Sequence, residues 1–491
     1  MPRNTPGQAG LKVFTLAMIN VAAIASLRNL PVASEYGLGM IFFYSLAAVT
    51  FFIPTALVAA ELATGWPQTG GIYVWVKEAL GPRLGFLAVW MQMMNNLFWF
   101  PTVLSFIAGA VAYIFNPALA SNKFFMITVM LVTFWGGTLL NFRGMQLSGL
   151  ISSVGAVIGT LVPGALLIIL AVVWVVGGQP VAMSLNTATL VPDLSNLKQV
   201  VFFVGLMLAF CGMEMSAVHA GEVANPQRDY PRAIALSAVL IFALSLLGSL
   251  AIAVVVPVKQ MSLVTGIMQT FTAIFAALHL DWLTPIIAGL TALGAVAMVS
   301  TWIVGPAKGI MAVGRGGDLP PFFQKTNAQG IPVNILLVQA AWVSFISLIF
   351  LVMPTISSSY WILIAICTQV YVVMYLLMFI SAIVLRYRRP DTPRAYRVAG
   401  GRAGMWVVAG LGSAACLFAL AIGFVPPDNL PAGNLMLHLR FMPNRWLHAV
   451  AISYATLYEA FMALGLLVMI GLPFIISHFK KPTWRSPEVE E

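Results

Sequence analysis

Charge is scarce in this chain: of its 491 residues only 8% are charged, while 60% are hydrophobic. Soluble domains carry about a quarter charged residues, so a water-facing surface for a chain of this length is excluded. Cysteine is nearly absent. Cys211, Cys367 and Cys416 each sit inside an apolar run with no paired or metal-ligand spacing, which excludes a disulfide framework and a zinc site. There is no GxxxxGK[ST] phosphate loop and no carboxylate pair beside a nucleophile. Neither an ATP-driven pump nor a catalytic set is therefore expected, and no cofactor is implied. A cleavable N-terminal signal is not expected either, because the apolar stretch from Leu11 is too long and another span follows at once.

What the sequence has in quantity is apolar length. Its hydrophobic runs match the ~20 residues that a helix needs to cross a bilayer. Irregular backbone facing lipid is excluded at that depth, so the runs must be helices. The alternating segments of an outer-membrane barrel are missing. The expected fold is all-α and integral to the membrane. Twelve transmembrane helices are read at roughly 12–34, 37–63, 81–114, 124–142, 147–177, 198–221, 231–257, 282–314, 333–354, 359–387, 404–425 and 447–478. They make one membrane domain over 1–491, with no soluble domain. The first and sixth spans look interrupted and each begins a block of five. That suits an inverted 5+5 repeat (about 12–177 and 198–387) followed by two extra C-terminal helices at about 404–478.

Charge placement orients the chain. With a cytoplasmic N-terminus, six of the 25 Lys and Arg residues fall on the far side: Arg28, Lys123, Lys198, Lys259, Arg440 and Arg445. The remaining nineteen face the cytoplasm, as the positive-inside rule requires. The net charge of +10 then needs no nucleic acid as partner. Both termini are expected in the cytoplasm of a plasma membrane or bacterial inner membrane. Residues 64–80 and 315–332 read as short amphipathic or loop segments on that face. Nothing in the sequence bears on oligomeric state.

Three segments could carry chemistry. In span one, Ile19, Asn20, Val21, Ala22 and Ala23 form a run rich in small residues, continued by Ile24, Ala25 and Ser26 and then Arg28-Asn29-Leu30-Pro31. An unwound turn there would offer free N–H groups and a positive helix end to a carboxylate, although small residues also serve plain helix packing. In span six, Phe210-Cys211-Gly212-Met213-Glu214 has Gly212 as a break point and Glu214 as a costly mid-membrane acid. Glu214 either binds an ion, proton or substrate, or stays protonated and pins the broken helix. His219 and Glu222 follow nearer the interface, as candidates for gating or proton coupling. In span eight, Trp302 could wall a substrate, and Ser300 and Thr301 could help to hold Na⁺ or act as packing glue. Tyr371, Thr368, Gln369, Asn95 and Asn96 are weaker candidates of the same kind.

At these residues the sequence resembles the amino acid–polyamine–organocation superfamily, and within it the bacterial glutamate/GABA antiporters. The similar stretches are Phe51-Phe52-Ile53-Pro54-Thr55 with Ala60-Glu61-Leu62-Ala63-Thr64, and Gly70-Gly71-Ile72-Tyr73 with Leu80-Gly81-Pro82-Arg83. Gly212-Met213-Glu214 with Asn225-Pro226, Trp302-Ile303-Val304-Gly305-Pro306, and Arg389-Pro390-Asp391 with Ala399-Gly400-Gly401 continue the match in order. The resemblance implies broken first and sixth helices that rock against spans three, four, eight and nine. It also implies exchange of an amino acid for another or for its decarboxylated amine. The Ile19–Ala23 turn would take the substrate carboxylate, the Cys211–Glu214 turn the amino group, and Trp302 and Tyr371 would line the cavity. The first turn reads Asn-Val-Ala-Ala rather than Thr-Ala-Ser, residues 147–177 contain no Lys to replace Na⁺, and about a dozen residues follow the last span. A C-terminal pore plug is therefore not expected. A proton- or sodium-coupled symporter on the same fold, or a sensor that binds without transporting, would share the same spans.

Overall fold

The computed structural model describes residues 13–68, 70–142, 155, 157–195, 200–214, 226–353, 355–426, 434–437, 440–442, 445–446 and 450–485. Among the described residues, ten helices are long and apolar enough to cross a membrane. The chain opens with α1 (Val13–Ile24), a 3-10 turn at Leu27–Asn29 and the short α2 (Leu30–Ser34). It continues with α3 (Gly39–Gly65), α4 (Ile72–Leu80), α5 (Pro82–Phe115), α6 (Lys123–Asn141), α7 (Val157–Val176) and the short α8 (Phe202–Ala209). Then come α9 (Pro226–Val255), α10 (Gly266–Ala277), α11 (Thr284–Arg315), α12 (Val333–Val352), α13 (Ile356–Arg388), α14 (Gly401–Ile422) and α15 (Tyr454–His478). The ten long helices occupy ten of the twelve expected spans. The other two, the first and sixth, hold the interrupted segments α1–α2 and α8.

Local chemistry sets many of these boundaries. Side chains of Asn122, Thr355 and Ser453 accept the N–H of Phe125, Ser358 and Thr456, which caps α6, α13 and α15. Proline fills an early position of α5, α9 and α11, where its missing N–H costs nothing. Inside the bundle, α5 packs along α11 and α13, and these three long helices form the centre. Small residues let helices approach closely: a Cβ added at Gly159 of α7 would sit 2.3 Å from the Gly294 Cα of α11. Large apolar side chains such as Val132, Val176, Phe345 and Leu467 are exposed on the outside of the bundle, as a lipid-facing surface requires.

Two features depart from the sequence reading. The α9–α11 connection contains α10, an apolar helix of 12 residues and too short to span. The α14–α15 connection holds two small antiparallel ladders, β1 (Asn434–Leu437) with β4 (Val450–Ser453) and β2 (Arg440–Met442) with β3 (Arg445–Trp446). The all-α expectation therefore holds for the spans but not for this connection, where backbone groups outside any helix pair with each other.

Candidate functional site

The first helix breaks partway, and the sixth segment leaves helical backbone after Ala209. The first helix stays regular through Ile24 and breaks at Ala25–Ser26, where Ser26 is extended. This corrects the expected turn: Ile19–Ala23 is helical backbone, and the opening lies two residues further on. A run of small residues is compatible with either path, so the break could not be placed from composition alone. In the sixth segment α8 ends at Ala209, and Gly212 adopts φ +123°, a conformation that favours glycine. The Gly212 N–H donates to the Tyr375 hydroxyl at 2.7 Å.

The breaks meet at a narrow cavity of about 20 Å³, lined by Ile24, Ser26, Arg28, Asn29, Asn95, Asn96, Trp99, Leu208, Cys211, Met298, Trp302 and Tyr371. That volume suits about one water molecule and not an amino acid. Asn95–Trp99, Met298–Trp302 and Tyr371 lie near the midpoints of α5, α11 and α13, which puts the cavity at mid-membrane depth. The Trp99 and Trp302 rings meet at 5.5 Å between centres, tilted by 46°. The Asn96 Nδ2 donates to the Trp302 carbonyl at 3.5 Å, and the Cys367 thiol donates to Asn95 Oδ1.

Arg28 is the residue that sequence reading misplaced. Counted there among the charges of the far side, it is 1% exposed in the 3-10 turn after the first break. Its Nη1 donates to Thr102 Oγ1 at 2.5 Å, and its guanidinium lies 5.6 Å from the Trp99 ring centre and 5.9 Å from that of Tyr360. The Tyr360 hydroxyl donates to the Arg28 carbonyl at 3.3 Å. Its Nε has no hydrogen-bond partner, and no ion pair among the described residues includes it. An arginine at mid-membrane costs roughly 2.5–3.5 kcal/mol even on the mildest scales.

Met213 and Glu214 take 3-10 backbone just beyond Gly212, and Glu214 is buried. Its carboxylate accepts from the Tyr371 and Tyr375 hydroxyls and, at 3.4 Å, from Gln92 Nε2. These donors tie the sixth-segment break to α13 and α5. Tyr371 belongs to both arrangements, since it bonds Glu214 and lines the cavity. Glu214 itself is not among the residues that line that cavity.

The remaining candidates separate cleanly. Cys211, Trp302, Tyr371, Asn95 and Asn96 come together at the cavity. Asn20 instead faces α9, donating to Ser237 Oγ at 3.2 Å, and Val21 is buried. Ser300 accepts from Asn141 Nδ2 at 3.2 Å, a tie between α11 and α6. Thr368 bonds the Ile364 carbonyl, and Gln369 bonds the Ala419 carbonyl of α14. His219 and Glu222 lie outside the described residues, as do the side chains of Ile19, Ala22, Ala23 and Thr301.

The two ends of the bundle differ. One end carries an open cavity of about 920 Å³ lined by Glu35, Tyr36, Thr189, Phe202, Lys259 and Ser358 among others. Tyr36 and Phe202 touch at 3.6 Å between ring centres, and Phe202 meets Trp361 at 5.0 Å. Phe202 lines this vestibule and Leu208 the narrow cavity, six residues or about 9 Å further along the helix. The aromatic cluster thus lies between them. At the opposite end, Glu61 of α3 accepts from Arg386 Nε and Nη2, both at 2.5 Å, and from the Val398 N–H at 2.8 Å. Arg394 Nε stands 3.5 Å from the same carboxylate, and its guanidinium covers Trp66 at 5.1 Å. Burial pushes the Arg394 guanidinium below its ordinary range, and Glu61 opposes that shift. Sequence reading quoted Glu61 only as part of a motif; a buried acid in an apolar run was the signal available.

Comparison with known proteins places these features in context. The profile of the amino acid permease family matches residues 11–442. The chain is 42% identical over 467 residues to an uncharacterized transporter of Legionella pneumophila, covering 95% of this chain and 96% of that one. It is 35% identical over 429 residues to a glutamate/gamma-aminobutyrate antiporter of Lactococcus lactis subsp. lactis, covering 86% and 85%. A probable agmatine/putrescine antiporter from the same organism is 25% identical over 379 residues, covering 75% and 78%.

Proposed function

The chain belongs to the amino acid permease family, a family of transporters rather than enzymes, and from that premise we propose that it exchanges one amino acid for another or for its decarboxylated amine. Glutamate for GABA is the model pair, after the relative that shares 35% of its residues. The observation that carries this reading is the meeting of two helix breaks at a narrow cavity halfway across the membrane. Discontinuous helices at mid-bilayer are where secondary transporters hold their substrates.

The cavity must widen to admit an amino acid, and the two ends of the bundle supply the means. Parting of Tyr36, Phe202 and Trp361 would join the cavity to the open vestibule. Release of the Glu61–Arg386–Arg394 cluster would open the other end. The first and sixth segments would move against α5, α6, α11 and α12, with twelve spans arranged as two inverted halves plus two further helices. Both termini and the Glu61 cluster would face the cytoplasm of the bacterial inner membrane, as the charge asymmetry suggests. Site roles follow the same logic. The first break would receive a carboxylate, the Cys211–Gly212 turn would lie beside the substrate amine, and Trp302 and Tyr371 would form the walls. Glu214 would hold the second break in shape through its tyrosines and respond to the substrate's positive end.

Counterflow with purified protein in sealed liposomes tests the exchange. Labelled uptake that depends on a preloaded internal amino acid or amine is the expected result. Uptake into empty liposomes driven by a proton or sodium gradient would replace exchange with symport, and binding without uptake would make the chain a sensor.

A further inference from the structure

We infer that Arg28 is the anchor for the one carboxylate that an acidic amino acid keeps when its α-carboxylate is lost, so that the exchanged pair is a dicarboxylic amino acid and its ω-amino acid product. This deepens the exchange reading and rests on it.

The starting point is a buried charge with no counter-charge among the described residues. Arg28 is 1% exposed at mid-membrane depth, and no ion pair among the described residues includes it. The other buried arginine of the spans, Arg386, holds Glu61 in a two-nitrogen contact at 2.5 Å. Arg28 has one hydroxyl, two aromatic faces and a bare Nε. A buried cation is tolerable when a counter-charge meets it, and here the adjoining space is the cavity itself. Guanidinium donors match a carboxylate in a planar, two-point geometry, which a lysine could not reproduce.

The chemistry of decarboxylation then decides which pairs fit. An α-amino acid that loses CO₂ and gains a proton at the α-carbon keeps its ammonium and its side chain. Glutamate becomes GABA and aspartate becomes β-alanine, each still carrying the side-chain carboxylate. Arginine and ornithine become agmatine and putrescine, which carry only positive groups and would face Arg28 as like charges. A fixed guanidinium in the cavity therefore accepts both members of a dicarboxylate/ω-amino acid pair through one shared group. It rejects the diamines through repulsion, a specificity device that needs no second pocket.

The test uses purified full-length protein, wild type, Arg28→Gln and Arg28→Lys, in liposome counterflow and in thermal-shift binding. The solutes are glutamate, GABA, aspartate, β-alanine, glutamine, agmatine and putrescine. Expected for the wild type are exchange of, and stabilisation by, carboxylate-bearing pairs, with neither diamine active. Arg28→Gln should raise KM for glutamate and GABA together by about a hundredfold or more. Arg28→Lys, which keeps the charge but not the fork, should fall between. Wild-type exchange of agmatine or putrescine, or an Arg28→Gln variant whose KM values stay within threefold of wild type, would overturn the assignment. Should Arg28→Gln not fold, the wild-type contrast decides it: stabilisation by glutamate and GABA supports the anchor, and equal stabilisation by glutamine and putrescine refutes it. If uptake proves independent of internal solute, exchange fails as a mode, while the binding contrast still reads Arg28 separately.

Discussion

Replacing Glu61 by Gln should destabilise the protein far more than replacing Glu78, although both carboxylates pair with arginine. The Glu61 carboxylate is buried and answers two guanidinium groups and a backbone N–H: Arg386 twice at 2.5 Å, Arg394 at 3.5 Å, and the Val398 amide at 2.8 Å. An amide keeps one accepting oxygen and turns an N–H₂ group toward a cation. Two buried guanidinium groups then lose their counter-charge, and breaking a buried pair in this way costs about 3–5 kcal/mol. At 1.4 kcal/mol per factor of ten, that is between two and four powers of ten in the folded fraction. The Glu78–Arg389 pair is 3.8 Å long with both side chains well exposed, and such pairs contribute about 0–1 kcal/mol. Unfolding of the purified variants in mixed micelles, followed by tryptophan fluorescence against denaturing detergent, separates the two cases. Glu61→Gln should unfold at a much lower detergent fraction and Glu78→Gln near the wild-type midpoint. Arg386→Gln should be damaging alone, yet the double variant with Glu61→Gln should lose less than the sum. A Glu61→Gln midpoint equal to that of wild type would refute the claim that this cluster clamps its end of the bundle.

Trp302→Ala should raise the KM for exchange about three- to tenfold, the worth of one aromatic contact, with turnover less affected. Unchanged kinetics would return Trp302 to a packing role. Glu214→Gln should slow exchange at least about tenfold, because Tyr371 and Tyr375 would lose an acceptor whose removal costs about 1–3 kcal/mol. Wild-type rates in that variant would remove Glu214 from the mechanism. Gly294→Val should cost at least about 1–3 kcal/mol of stability by overpacking against Gly159, whereas Gly471→Val, with open space around it, should express and unfold like wild type. Equal detergent midpoints for the two variants would show that the α7–α11 approach adjusts freely.

The spans were legible because lipid imposes a single rule on long apolar runs, and the break at Gly212 because a glycine two residues before an acid inside such a run is a poor helix interior. The first break was displaced by two residues because Ala and Ser report a preference for close packing, not where the backbone leaves the helix. Arg28 and Glu61 were missed for a common reason. In sequence each stands near the end of an apolar run, where a charge ordinarily marks an interface, and only the fold reveals that both are enclosed. The partners that distinguish them arrive from far along the chain: Arg386 lies 325 residues from Glu61, and Thr102 lies 74 residues from Arg28. What such distance conceals is the difference that matters for function. A buried acid that meets two arginines is met by positive charge and holds structure in place, whereas Arg28, beside a cavity with one neutral hydroxyl and a bare Nε, meets no counter-charge among the described residues. Under the Arg28 assignment, occupancy by substrate and neutrality of the site would be the same event, and binding would be coupled to the first break where Arg28 is rooted.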